Sequence, residues 1–410
     1  MRYQPVAAAA DAVGRWGVIA LGFSIPISVA LDNVLLALIA LAWLAAGELR
    51  EKLSIIRGNP VALAALGLFG MLTLGLAYGS SNPGDGLHYL GKYLDLLFVP
   101  LFLTFFRDAN IRKWALIAFS LAAIASVMVS YLAHMNLLAD SSLLRREPTL
   151  PNGFKASITH GLIVAFAAYL FALVARAEQN KNRRLGYIAL SLFAAHNVVF
   201  MGFGRTGYLL IALLFLYFFV VTLGRRGLVL VSAMGLAMFL TAYVTSTIFH
   251  QRLNDAAQEF SQWELGKPSK TSVGERLEYY VTSIGIIRAH PLIGTGTGSF
   301  PAEYARAVAG RNMMVTVNPH NEYLMIAVQI GLIGLASLIY LFYRQWRYAG
   351  ELERPFYRDL GRGLVLTFAV GCLFNSLLLD HTEGLLFAWL SALVFAAPAK
   401  TRPPLAGYTP

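Results

Sequence analysis

A histidine stands at the start of a long apolar run, in the stretch NPHNEYLMIAVQIGLIG from Asn318 to Gly334. Asn318 can cap a helix and Pro319 suits the first helical position, so we predict a helix with His320 in its first turn. The positive end of the helix dipole disfavours an imidazolium there and leaves a neutral ring that can accept a proton. The pattern therefore predicts a general base, and a histidine that only meets the membrane surface is the alternative.

Three arginines are the candidates for binding an anion. Arg205 lies in MGFGRTGYLL between two apolar runs, where an arginine either faces a polar cavity or extends to the lipid head groups. Arg276 and Arg288 are twelve residues apart in one amphipathic stretch, and a solvated helix face with local ion pairs is the alternative there. Guanidiniums without obvious metal ligands suit an anionic leaving group. The predicted chemistry therefore uses no metal and no cofactor.

Two further stretches hold polar residues between apolar runs. Asp380 and His381, in LLLDHTEG, either orient a substrate or a partner side chain or are ordinary turn residues. The stretch GTGTGSF, from Gly294 to Phe300, has glycine spacing that could be mistaken for a dinucleotide fingerprint. It lacks the preceding strand and following helix that such a motif needs. We therefore predict a flexible turn there.

The composition indicates that these residues belong to a membrane protein. The chain of 410 residues is 57% hydrophobic and 13% charged, whereas soluble domains are about 45–50% apolar and about 25% charged. A membrane span needs roughly 20 mostly apolar residues. The sequence contains twelve apolar segments that we predict as spans, near 14–31, 33–47, 60–78, 90–106, 114–138, 158–175, 186–203, 206–223, 227–249, 320–342, 363–379 and 384–397.

The distribution of positive charge predicts the orientation of these spans. With both ends in the cytoplasm, 21 of the 33 lysines and arginines lie in inside segments and five lie in short outside loops, as the positive-inside rule requires. The net charge of +11 is thereby explained without a nucleic-acid partner. The single cysteine, Cys372, excludes a disulfide framework.

The predicted organisation has four parts. Residues 1–249 hold spans 1–9, residues 250–319 form one large outside loop, residues 320–399 hold spans 10–12, and residues 400–410 are a cytoplasmic tail. An unstructured loop of that length is unusual in a compact protein, so the outside loop is predicted to be functional. Two amphipathic helices are predicted within it, HQRLNDAAQEFSQWEL and VGERLEYYVTSIGIIRAH.

The stretches GFGRTGYL, RAHPLIGTGTGSFPAEY and NPHNEYLMIAVQIGLIGLASLIYLF together resemble the O-antigen ligase and polymerase superfamily of bacterial membrane proteins. The likeness runs from about the seventh span to the twelfth. The length of the chain and the DHTEG turn look most like the ligases. The resemblance implies an all-α, polytopic, GT-C-like protein of the bacterial inner membrane with about 12 transmembrane helices and a site that faces the periplasm.

The resemblance also implies a reaction and roles for individual residues. The reaction would be a metal-independent, inverting transfer of O-antigen glycan from undecaprenyl pyrophosphate to a hydroxyl of the lipid A core oligosaccharide, in contact with membrane lipids. His320 would be catalytic. The residues implied for binding the donor pyrophosphate are Arg205 and Arg276, with Arg288 as a nearby competitor of Arg276, and the supporting residues are Asn321, Asp380 and His381.

Three alternative functions stay open at this point. An O-antigen polymerase and a protein O-glycosyltransferase would use the same lipid-linked donor with a different acceptor. A transporter of lipid-linked glycans is the alternative outside enzymes, since Pro26, Pro100 and many glycines would suit moving helices. Against a transporter, the polar residues cluster on one face and do not recur through the middle of the bilayer.

Overall fold

The computed structural model describes residues 3–79, 82–135, 137, 153–201, 204–264 and 270–400. Within these ranges the chain is helical, without strands, apart from one isolated antiparallel bridge between Leu352 and Ala399. Most of the predicted tail, residues 401–410, lies outside the described residues. The helices are α1 Tyr3–Ser24, α2 Val29–Ala45, α3 Leu49–Arg57, α4 Pro60–Leu74, α5 Pro83–Lys92, α6 Asp95–Phe105, α7 Ala109–His134, α8 Ser157–Ala177, α9 Lys181–His196, α10 Arg205–Leu223, α11 Arg225–Thr245, α12 Thr247–Gln262, α13 Ser272–Ala289, α14 Phe300–Val308, α15 Glu322–Glu351, α16 Pro355–Gly371 and α17 His381–Phe395.

The fold is that of an all-α polytopic membrane protein, as predicted. Among the described residues, seven helices are long and apolar enough to cross a membrane by themselves, and an eighth span is possible if the bent pair α2 and α3 counts as one. The shorter helices α4 and α17 are also apolar. Each of the twelve predicted apolar segments overlaps a helix, but segment 90–106 is divided between α5 and α6, and segment 363–379 extends past the end of α16 at Gly371. The count of twelve spans stays a prediction.

The core is centred on α8 and α17. Most of α8 is buried, whereas only 11% of the apolar window of α11 is, so α11 lies at the periphery with its apolar side chains facing outward. Trp389 of α17 is fully buried, and its ring packs against those of Phe106 and Phe119. Its indole nitrogen donates to the carbonyl of Val18 at 2.8 Å. The buried indole N–H of Trp389 therefore has a hydrogen-bond acceptor, as a buried tryptophan requires.

The predicted outside loop is largely helical. Its two predicted amphipathic helices correspond to α12 and α13, and a third, short helix, α14, follows them. The predicted break between the first two includes residues 265–269, which lie outside the described residues.

The glycine-rich segment 291–299 is not the flexible turn that we predicted, because it fills a break in α15. The α15 backbone leaves helical geometry at Ile330 and Gly331. The amide of Gly296 donates to the Gln329 carbonyl at 2.7 Å, and the amide of Leu332 donates to the Pro291 carbonyl at 2.8 Å. Backbone groups freed by a helix break need partners when buried, and the inserted segment supplies them.

Gly296 should tolerate no side chain. Its φ is +96°, and an added Cβ would lie 2.0 Å from the Cα of Gly79. The change Gly296→Ala is expected to destabilise the protein by roughly 3 kcal/mol or more, since backbone strain and overpacking add. A lower midpoint of thermal unfolding in detergent would show this. Gly70→Ala is the matched control, because nothing lies within 4 Å of a Cβ there. An unchanged midpoint for Gly296→Ala would contradict the described packing.

Candidate functional site

His320 lies just before α15 and not in its first turn. Its φ is +52°, and α15 begins at Glu322. Asn321 caps the helix through its side-chain oxygen, which accepts from the Leu324 amide at 3.1 Å. The prediction that Asn318 caps this helix is therefore wrong, because the left-handed backbone at His320 stops a helix from starting earlier. Because His320 lies outside the first turn, the helix dipole is a weaker reason to expect a neutral imidazole there.

Asn318 holds the turn that presents His320. Its side-chain oxygen accepts from the amide of His320 at 2.8 Å and from the hydroxyl of Ser376 at 2.8 Å. The hydroxyl of Tyr280 donates to the His320 carbonyl at 3.3 Å and to the Leu373 carbonyl at 2.9 Å. The turn is thus tied to α13 on one side and to the segment between α16 and α17 on the other.

The ring of His320 is oriented by Asn375. The His320 Nδ1 atom lies 3.1 Å from the Asn375 Oδ1 atom, and an amide oxygen can only accept. Nδ1 therefore carries the proton, and Nε2 keeps its lone pair. The ring also stacks on Tyr279, with centroids 6.2 Å apart. This is the arrangement of a general base whose tautomer is set by a second residue.

Arg205 and Arg276 share one electrostatic environment. Arg205 is the first residue of α10, and its Nη2 atom lies 3.9 Å from the Oε1 atom of Glu259 on α12. Burial lowers the pKa of Arg276, and the charge of Arg205 lowers it further, while Tyr280, Tyr279 and Glu259 act in the opposite direction. Tyr279 and Tyr280 also contact His320. One helix, α13, therefore carries an arginine and both tyrosine neighbours of the histidine.

The position of Arg205 is set by packing between α8 and the turn that precedes α10. Helix α9 continues into a π-helical turn, Asn197–Met201. The buried side chain of Asn197 accepts from His160 Nε2 at 2.9 Å and donates to Ser130 at 3.0 Å. A Cβ on Gly207 would lie 3.2 Å from the Cα of Gly161, so α8 and α10 cross in close contact. Arg205, two residues before this contact, is the first residue of α10 and is half-buried.

Arg288 is not brought into this cluster. It is exposed in the last turn of α13, twelve residues from Arg276 and so about 18 Å farther along the helix.

Asp380 and Lys92 lie beside His320. Burial raises the pKa of Asp380, and the charges of Lys92 and His320 act in the opposite direction. Asp380 is the residue before α17, and Lys92 ends α5 with its ammonium 5.4 Å from the ring of Tyr89. The carboxylate of Asp380 thus interacts with the charges of both Lys92 and His320.

His381 belongs to a different polar cluster. Its Nδ1 atom lies 3.9 Å from the carboxylate of Asp95. In the same region Lys155 lies 3.9 Å from the fully buried Asp32. These residues come from four separate segments, so the sequence analysis did not recognise the cluster.

Asn375, Tyr280, Lys92 and Glu259 are site residues that the sequence analysis missed. Asn375 had a weak signal, since the pair Asn375–Ser376 is polar within the predicted apolar segment 363–379. The other three stand in ordinary amphipathic contexts, and only their contacts distinguish them.

Residues 188–339 match the family model described as "O-Antigen ligase". This match is consistent with the predicted resemblance to the O-antigen ligase superfamily. Among curated proteins, none matches the chain. The family match includes Arg205, Arg276 and His320 and ends before Asn375 and Asp380. The matched family suggests a ligase or polymerase-type glycosyltransferase activity, and the apolar helices agree with a multi-pass membrane protein.

Proposed function

We propose that this protein is an O-antigen ligase of the bacterial inner membrane, with its site on the periplasmic face. It transfers the glycan from undecaprenyl pyrophosphate to a hydroxyl of the lipid A core oligosaccharide. The observation that carries the proposal is the pair of contacts around α13, since this helix holds Arg276 and also contacts the oriented ring of His320. A base and an anion-binding group are thereby held by one rigid element.

In the proposed reaction, the acceptor hydroxyl loses its proton to Nε2 of His320 as its oxygen attacks the anomeric carbon of the donor. The bond from that carbon to the pyrophosphate breaks, and the pyrophosphate leaves with the electron pair. Arg205 and Arg276 stabilise the negative charge that develops on it. Asp380 stabilises the imidazolium that forms on His320. We assign the pyrophosphate to Arg276 in preference to Arg288, because Arg288 is exposed at the far end of α13.

A single displacement is proposed because His320 supplies the base that lets an acceptor hydroxyl attack the anomeric carbon directly. Such a displacement inverts the anomeric configuration of the donor. The residues of the site supply a base and positive charge by themselves, so the proposed transfer needs no metal.

The test is transfer in detergent with purified protein, lipid-linked O-antigen donor and lipid A core acceptor. We expect a glycosylated core with inverted anomeric configuration, formed equally well in the presence of a chelator. Retention of configuration or a strict requirement for a divalent metal would contradict the mechanism. In a deletion strain, loss of all O-antigen from the core indicates a ligase, whereas a core bearing a single repeat unit indicates a polymerase. Absence of any product from donor and acceptor would favour a transporter.

A further inference from the structure

A carboxylate occupies the space beside the arginine pair. Glu259 lies in the last turn of α12, and its Oε1 atom is 3.9 Å from Arg205. Its Oε2 atom accepts a hydrogen bond from the backbone amide of Val273 at 2.9 Å. Burial lowers the pKa of Arg276, and the charge of Glu259 acts against this shift. One carboxylate therefore offsets part of the positive charge of two guanidiniums and accepts a hydrogen bond from an amide at the start of α13.

The groups that face Glu259 form a site for an anion. Val273 is the second residue of α13, and amides in a first helical turn have no partner within the helix. They favour anions, phosphate groups in particular. The next amide, that of Gly274, is already capped by the hydroxyl of Thr271 at 3.2 Å. The Val273 amide and the guanidiniums of Arg205 and Arg276 are the groups that an incoming phosphate would use.

We propose that Glu259 takes the place of a phosphate group in the donor-free protein and that the pyrophosphate of the donor displaces it. The inference rests on the proposed function and adds the amino end of α13 to the proposed donor site. The contact to be broken is weak, because 3.9 Å between Glu259 and Arg205 is too long for a hydrogen bond. A pyrophosphate also brings more negative charge and more acceptor oxygens than one carboxylate.

A resident carboxylate has two consequences for the reaction. It lowers the affinity of the arginine pair for any anion, so a ligand with little charge displaces it poorly. The site is thereby selective for a pyrophosphate over a monophosphate. After transfer, the return of Glu259 to Arg205 and Val273 favours release of the pyrophosphate product.

The test is the change Glu259→Gln. The glutamine oxygen can still accept from the Val273 amide, so the contact between α12 and α13 is kept while the charge is removed. Inorganic pyrophosphate is titrated into purified full-length protein in detergent and followed by calorimetry. We expect Glu259→Gln to bind pyrophosphate about three- to tenfold more tightly. Asp255→Asn removes the same charge at an exposed position one turn earlier on α12, and its affinity should stay within about twofold of the original.

Weaker or unchanged pyrophosphate binding by Glu259→Gln would overturn the inference, since Glu259 would then orient Arg205 without competing with the ligand. Transfer assays on the same preparations separate this outcome from failure of the proposed function. Tighter binding without transfer would support the role of Glu259 and reject the ligase activity. Transfer with unchanged pyrophosphate binding would support the ligase activity and reject the role of Glu259. Absence of binding in both proteins would reject the proposed pyrophosphate site together with the role of Glu259.

Discussion

Replacing His320 with alanine should abolish glycan transfer and leave the protein folded in the membrane. A positioned general base contributes about 100- to 10,000-fold to a rate, and we expect a loss of at least 100-fold in kcat. The ring is half-buried before the start of α15, and its packing consists largely of the stack on Tyr279. Losing such a stack costs about 0.5–1.5 kcal/mol. The measurement is kcat in detergent together with the midpoint of thermal unfolding.

The matched control is His290→Ala. His290 directly follows the last residue of α13 and is exposed. We expect its replacement to leave kcat within about twofold of the original value, as for an exposed residue away from the site. A His320→Ala protein that keeps more than about a tenth of kcat would rule out the general base.

Arg205→Lys should lower kcat/KM for the donor by about 10- to 1,000-fold. The positive charge is kept, but an ammonium cannot present the planar fork that binds two phosphate oxygens together. In comparable sites, removing one preorganised hydrogen-bond donor to a developing anion lowers kcat by about 100- to 1,000-fold. Because lysine keeps the positive charge, we expect a loss that can be as small as about 10-fold. The residue is half-buried at the first position of α10, so both side chains fit there. The measurement is the rate as a function of donor concentration.

Arg276→Lys and Arg288→Lys complete this experiment. Arg276 shares its environment with Arg205, and we expect a loss of the same order for its lysine variant. Arg288 is exposed at the other end of α13, and its variant should transfer normally. If Arg288→Lys lost activity and Arg276→Lys kept it, the pyrophosphate would be assigned to Arg288. Full activity of Arg205→Lys would mean that Arg205 only extends toward the lipid head groups.

Much of the architecture could be predicted because it depends on local properties of the chain. Each apolar segment that we predicted overlaps a helix, since the transfer of apolar side chains into lipid depends on composition over about 20 residues. The helices α12 and α13 were predicted from the spacing of apolar residues for the same reason. His320 and Arg205 were candidates because they stand beside apolar segments, where a polar side chain can face a functional cavity. Arg276 was a candidate because the resemblance implies an arginine in the long loop.

The start of α15 shows where local reasoning failed. Asn318 and Asn321 are both acceptable caps by residue type, and the sequence offered no means of choosing between them. The choice is made by contacts from distant segments. Ser376 bonds to Asn318, and Tyr280 bonds to the carbonyl of His320, which together hold the histidine in a left-handed conformation.

By itself, then, the sequence determined a helical membrane protein, its apolar segments and the residue types available for chemistry. Only the tertiary structure decided that Asn375 orients His320 across 55 positions, that segment 291–299 fills the break in α15, and that Glu259 faces Arg205. The physical reason is that hydrophobicity and helix propensity act between near neighbours. A buried hydrogen bond or ion pair instead depends on which segments packing brings together, and no local pattern encodes that choice.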